Sequence, residues 1–247
     1  MSPSFTVGWL YPDLMNIYGD RGNIVTLLKR AQWRGFDARL VELRKGARTG
    51  MEDVDVFFFG GGQDREQGLV YDDLLENKSI PLARAVADGA GILAVCGGYQ
   101  LLGHYYQTGT GERLPGIGLL DVHTTAGRTR HIGNVVVETA GLGLEPRTLV
   151  GFENHSGQTY LGEGVASLGT VRVGSGNNGA DGQEGLVSGA LFGTYLHGSL
   201  LPKNPHLADL ISLRALARRG ITALDPLDDR PELAAHQFVV ERELATR

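Results

Sequence analysis

The stretch Gly91-Ile92-Leu93-Ala94-Val95-Cys96-Gly97-Gly98-Tyr99-Gln100 decides how this chain is read. Residues 91–95 form a short apolar run suited to a strand buried on both faces, and residues 99–106 follow as a helix. The glycine pair between them lets the backbone turn sharply, so the pattern predicts a strand-turn-helix bend with Cys96 at its apex. Upstream, residues 81–88 read as a helix closed by Gly89, and residues 54–59 as a second, largely apolar strand ending in Gly60-Gly61-Gly62. Further out, strand-like residues 5–11, helical residues 22–34 and strand-like residues 38–43 have βαβ spacing. The expectation is an α/β fold with a central, mostly parallel sheet flanked by helices.

Downstream the texture changes. Residues 134–139, 168–173 and 191–195 read as short strands between glycine-rich turns. Residues 204–219 and 231–244 read as closing helices, the second introduced by Asp228 and Asp229 as candidate caps and by Pro231 in its first turn. The polar segment 174–185 is expected to be a mobile or partner-facing loop. No repeat, low-complexity tract or linker appears, so residues 1–247 are read as one domain.

Composition narrows the function. A net charge of -5, a pI near 5.8 and the lack of any Lys/Arg-rich run argue against a nucleic-acid partner. No apolar run approaches the roughly 20 residues of a membrane span, and the start lacks a signal-peptide pattern, so a cytoplasmic protein is expected. Cys96 is the single cysteine, which excludes an intramolecular disulfide and a thiolate zinc cluster. It is either a buried small hydrophobe or a reagent, and the Gly-Gly flank favours the reagent. A helix N-terminus and a nearby imidazolium can lower a thiol pKa from about 8.5 into the range of about 3.5 to 7.5.

A thiol nucleophile needs a base. Among seven histidines, His197 in Gly193-Thr194-Tyr195-Leu196-His197-Gly198 is best placed, at a strand end before a turn, with His155 the competitor. An oxyanion intermediate needs backbone N–H donors, for which Gly61 and Gly97 are the candidates. Asp20, Asp64 and Glu66 read as solvated loop acids without a catalytic role. No metal site is expected, since the histidines lack HExxH spacing, and neither glycine cluster carries the P-loop lysine and Ser/Thr.

Tyr18-Gly19-Asp20-Arg21-Gly22-Asn23, Gly60-Gly61-Gly62-Gln63-Asp64-Arg65-Glu66-Gln67, Cys96-Gly97-Gly98-Tyr99-Gln100, Gly151-Phe152-Glu153-Asn154-His155 and the His197 segment occur in this order. Together they resemble the class I (triad-type) glutamine amidotransferases, specifically the cobyric acid synthase-like branch, and within it they look like the GatD-type glutaminase subunits of lipid II isoglutaminyl synthases. The resemblance implies a class I amidotransferase fold, Cys96 as nucleophile and His197 as base. It also implies that Arg130 gates or binds glutamine, a role suited to a guanidinium facing an α-carboxylate, with Arg128 near enough to compete. The implied partner is a MurT-like Mur ligase subunit that binds ATP and Mg, in a heterodimer acting on the D-glutamate of lipid II, with L-glutamine as this chain's substrate. No cofactor is implied in this chain. Other readings are an amidotransferase for another carboxylate, such as a corrinoid, and a non-catalytic scaffold subunit. One departure stands out: triad-type relatives usually carry a glutamate two residues after the histidine, where this chain has Ser199. That predicts a missing orienting acid, expected to come from the partner.

Overall fold

The computed structural model describes residues 3–198 and 200–246, so Ser199 lies outside the described residues. Its first half builds a parallel sheet. β1 (Ser4–Leu10) pairs in parallel with β2 (Asp37–Leu43) on one side and β3 (Val56–Phe59) on the other, with α1 (Arg21–Trp33) as the first crossover. After α2 (Asp64–Asp73), a π turn over Leu74–Lys78 and α3 (Ser79–Ala87), β4 (Gly91–Val95) joins β3 in parallel. β3 and β4 are buried along their whole length because both faces are apolar, as parallel strands between helical layers require. α2 is an element the sequence reading did not include.

The bend after β4 opens α4 (Gly97–Leu101), which is shorter than the helix expected over residues 99–106. Its continuation is captured by a second sheet: His104 donates its backbone N–H to Val122, and β5 (Tyr105–Gln107) begins where more helix was expected. That sheet adds β6 (Arg113–Pro115), the long strand β7 (Val122–Glu138), β8 (Thr148–Leu161), β9 (Gly169–Val173) and β10 (Gln183–Glu184). Its order is β10-β9-β7-β5-β6, with β8 antiparallel to β7 and a register shift between Ala126 and His131. The strand expected at residues 134–139 is thus the end of a much longer one.

The chain then re-enters the first sheet. β11 (Leu186–Ser188) and β12 (Leu191–Thr194) form an antiparallel pair, and β12 docks in parallel on β4, giving the order β11-β12-β4-β3-β1-β2. α5 (Leu200–Lys203), α6 (Pro205–Leu216) and α7 (Arg230–Ala245) complete the fold, with a proline in the first turn of both α6 and α7. One apolar cluster includes Phe57, Leu93 and Phe192 of the parallel sheet, Val135 and Leu149 of the second sheet, and Ile211 of α6. The sheets also meet through backbone: Phe152 and His197 exchange N–H···O=C bonds of 3.3 and 2.8 Å.

The segment 174–185 is not the loose loop its composition suggested. The buried Glu153 carboxylate accepts the N–H groups of Ser175 at 2.9 Å and Gly176 at 3.0 Å. The buried Asn177 side chain donates to the Gly185 carbonyl at 3.0 Å and accepts its N–H at 2.9 Å. Buried side chains supply the partners that solvent gives an ordinary loop, and they fix the segment against β8.

Candidate active site

The carboxyl ends of β1, β3, β4 and β12 lie side by side at one edge of the sheet, the usual position for a site in an open α/β sheet. Cys96 follows β4 directly, with φ 49° and ψ -107°, a left-handed conformation that costs a non-glycine residue on the order of 1 to 3 kcal/mol. Neighbouring bonds hold it: Cys96 donates its N–H to Thr194 at 2.8 Å, and Gly98 donates to Gly60 at 3.2 Å. Gly98 permits this approach, since a Cβ there would stand 2.5 Å from the Phe59 carbonyl oxygen. The strand-turn-helix bend expected from the sequence is therefore present, with a buried thiol at its apex.

His197 follows β12 and is fully buried. Its Nδ1 lies 3.2 and 3.3 Å from the two carboxylate oxygens of Asp20, itself fully buried in the loop after β1. Burial works to lower the imidazole pKa, but the Cys96 charge and the Asp20 carboxylate outweigh it and the group is pushed up to about 10. Nδ1–H donates to Asp20, which leaves the buried Nε2 for Cys96, and no closed hydrogen bond is made there. Such contacts commonly tighten only when substrate binds. At neutral pH the geometry favours an imidazolium between a carboxylate and a sulfur.

This arrangement corrects two expectations. Asp20, read as a solvated acid, is the carboxylate on the far nitrogen of His197, so the orienting acid belongs to this chain and not to a partner. Sequence spacing gave no signal for it, because 177 residues separate the pair. Gly61 cannot serve the oxyanion, since its N–H donates to Asp20 at 2.9 Å. Gly61 instead makes room for the base, as a Cβ there would lie 2.6 Å from His197 Cε1. The candidate donors that remain are Gly97, which opens α4 and so has no intrahelical acceptor, and its close neighbour Gly62, whose backbone nitrogen lies 3.0 Å from the position of a Cβ on Gly97.

A cleft of about 230 Å3 opens beside Cys96 and is also lined by Tyr18, Asp64, Arg65, Gln100, Tyr106 and Arg130. Arg130 donates from Nε to Asn154 Oδ1 at 2.7 Å and from Nη2 to the Tyr18 hydroxyl at 3.2 Å. Tyr18 in turn presents its ring against His197, with centroids 4.9 Å apart. Arg128 is exposed and does not line the cleft, which separates the two arginines. His155, the competing base, reaches the cleft wall but stacks on Tyr195 at 3.7 Å and donates from Nδ1 to the Gly157 carbonyl at 2.8 Å. Under the floor, Gln67 bridges the Gly62 carbonyl and Gln100, and Gln100 donates to the Tyr195 hydroxyl at 3.0 Å.

The chain as a whole is similar to known proteins. The chain is 41% identical over 96% of its length to a Staphylococcus aureus protein named lipid II isoglutaminyl synthase (glutamine-hydrolyzing) subunit GatD, covering 95% of that protein. It is 35% identical to the Streptococcus pneumoniae subunit of the same name, over 97% of this chain and 88% of that one. A cobyric acid synthase from Pelotomaculum thermopropionicum is 33% identical over 65% of this chain, which spans only 32% of that enzyme. Among solved structures, a glutamine amidotransferase superposes with TM-score 0.53 at 19% identity, over 87% of this chain and 99% of that one. The glutaminase domain of Trypanosoma brucei CTPS, solved with bound acivicin, gives 0.54 at 10% identity, over 90% and 97% of the two chains. Residues 6–205 match the CobB/CobQ-like glutamine amidotransferase domain, and the chain belongs to that family of glutamine amidotransferases.

Proposed function

We propose that this chain hydrolyses L-glutamine through a Cys96 thioester and supplies the ammonia to a Mur-ligase-like synthetase, which amidates the D-glutamate of the lipid II stem peptide to D-isoglutamine. The observation that carries the chemistry is the buried line from Cys96 through His197 to Asp20. Glutamine enters the cleft with its α-carboxylate at Arg130. The Cys96 thiolate attacks the side-chain amide carbon, forming the S–C bond while the carbonyl oxygen takes negative charge facing the Gly62 and Gly97 N–H groups. Collapse breaks the C–N bond as the His197 imidazolium gives its proton to the departing nitrogen, releasing ammonia. Water, deprotonated by the now neutral His197, cleaves the thioester to glutamate and restores the pair.

The acceptor assignment rests on the relatives. This chain matches the two lipid II subunits over nearly their whole length, whereas the cobyric acid synthase has a further two-thirds that this chain does not match. ATP and Mg belong to the synthetase subunit in this reading, and the pair works in the cytoplasm at the inner membrane face. No helix among the described residues is long and apolar enough to cross a membrane. The test is Cys96→Ser in the reconstituted two-subunit enzyme. Glutamine-dependent amidation of lipid II falls by at least about a thousandfold, while amidation with free ammonium salts persists in the partner. Substantial glutaminase activity in the variant refutes the mechanism, and transfer only to a corrinoid carboxylate refutes the acceptor.

A further inference from the structure

The Cys96 cleft is lined by two guanidiniums, Arg65 and Arg130, and also by one carboxylate, Asp64. Asp64 is the first residue of α2, directly after the glycine turn of β3 and the cap residue Gln63. The start of that helix is anchored: Gln67 donates its backbone N–H to Gln63 at 2.9 Å and its side-chain amide to the Gly62 carbonyl at 3.3 Å and to Gln100 at 2.9 Å. Asp64 is exposed to the cleft and makes no hydrogen bond or ion pair among the described residues, despite the two arginines in the same walls. Tyr106 ties it to the reaction centre. Burial chiefly raises the Tyr106 phenol pKa, and the charges of Asp64 and then Cys96 add to the effect, so the acid and the sulfur lie within electrostatic reach of one side chain.

A carboxylate left unpaired beside two cations is available to a cation brought by the ligand. Glutamine brings one, because its α-carbon carries an ammonium as well as a carboxylate, separated from the reacting amide by a short methylene stem. We propose that Asp64 binds the α-ammonium of glutamine and so makes the site selective for an α-amino acid over other primary amides. This rests on the glutaminase reading above and extends it to substrate choice. Arg130 holds the carboxylate end and Asp64 the ammonium end, which fixes the stem and sets the amide carbon against Cys96. Glu66, the next acid on α2, does not line the cleft and has no such part. A carboxylate in the first turn also suits the helix dipole, so loss of stability alone would not report binding.

The experiment measures hydrolysis of L-glutamine and of its des-amino analogue, 4-carbamoylbutanoate, by the full chain with its synthetase partner. The wild type strongly prefers glutamine. Asp64→Asn raises the glutamine KM by about tenfold or more while kcat stays within about threefold, and its preference over the des-amino analogue shrinks by a similar factor. Asp64→Glu recovers part of the preference, and Glu66→Gln leaves KM and preference at wild-type values. Asp64→Asn with wild-type KM and undiminished preference overturns this assignment alone. A wild-type protein that hydrolyses no glutamine, free or assembled, overturns the glutaminase reading with it.

Discussion

Asp20 shows what a single residue contributes and how easily sequence conceals it. Its carboxylate meets His197 Nδ1, the Gly61 N–H and, at 3.4 Å, the Gly198 N–H, so one side chain holds the imidazole and two stretches of backbone at once. In Asp20→Asn the amide group facing Nδ1 can donate where the carboxylate accepted. The imidazole then carries its proton on Nε2 and presents N–H to the sulfur, and the imidazolium loses its counter-charge. The expected outcome is a fall in kcat for glutamine hydrolysis of about a thousandfold or more with the fold retained, read by steady-state kinetics beside circular dichroism. A variant within tenfold of wild type would remove Asp20 from the mechanism. The placement of Cys96 and His197 after strands was legible because each lies inside a short glycine-bearing motif. Asp20 was not, since a lone acid in a loop has no periodicity or spacing that ties it to a histidine on the far side of the chain. Gly61 was misread for a related reason: which of several adjacent glycine amides is free depends on a side chain from another loop.

The parallel core was legible at the scale of elements. Residues 56–59 and 91–95 are apolar on both faces, and α7 is close to the helix expected over residues 231–244. The β7–β8 pair was not. Much of β7 around its register shift, Ala126 to His131, is partly or fully exposed and polar, so no alternation marks it, and its pairing is set by a distant segment. The segment 174–185 was misjudged because glycine, asparagine and aspartate look solvated unless the buried acid beneath them is known. Glu153→Ala tests that account. Losing a buried acceptor for the Ser175 and Gly176 N–H groups destabilises the protein by about 2 to 3 kcal/mol and speeds amide exchange locally at residues 175–177. Wild-type exchange rates in the variant would show that the segment holds itself.

For the molecule as a whole, acid should be a weakness. His206 donates to the Thr148 carbonyl at 3.0 Å, His236 contacts Thr148 Oγ1 at 2.7 Å, and the two rings pack edge to face beneath α6 and α7. Burial, the largest cause, lowers the His206 pKa to about 4, and it lowers that of His236 as well. His206 is neutral in the folded protein at pH 6.5, where the unfolded chain begins to take up protons. As pH falls from about 6.5 toward 4, the unfolded state therefore binds more protons and stability declines, by about 2 to 3 kcal/mol from His206, with no further loss from that residue below its folded pKa. His206→Gln should flatten that slope in urea denaturation between pH 7 and 4.5, and an unchanged slope would place the acid sensitivity elsewhere.

The pairing of Phe152 with His197 bears on how this enzyme could be rebuilt. The peptide that carries the base is seamed to β8, and β8 also contributes Asn154, Ser156 and Gly157 to the walls of the cleft. The cleft wall and the imidazole of His197 therefore share one length of backbone. A designer who grafts a different hairpin to recognise another amide would also be choosing where the imidazole sits, so specificity and turnover in this scaffold must be re-engineered as a single unit.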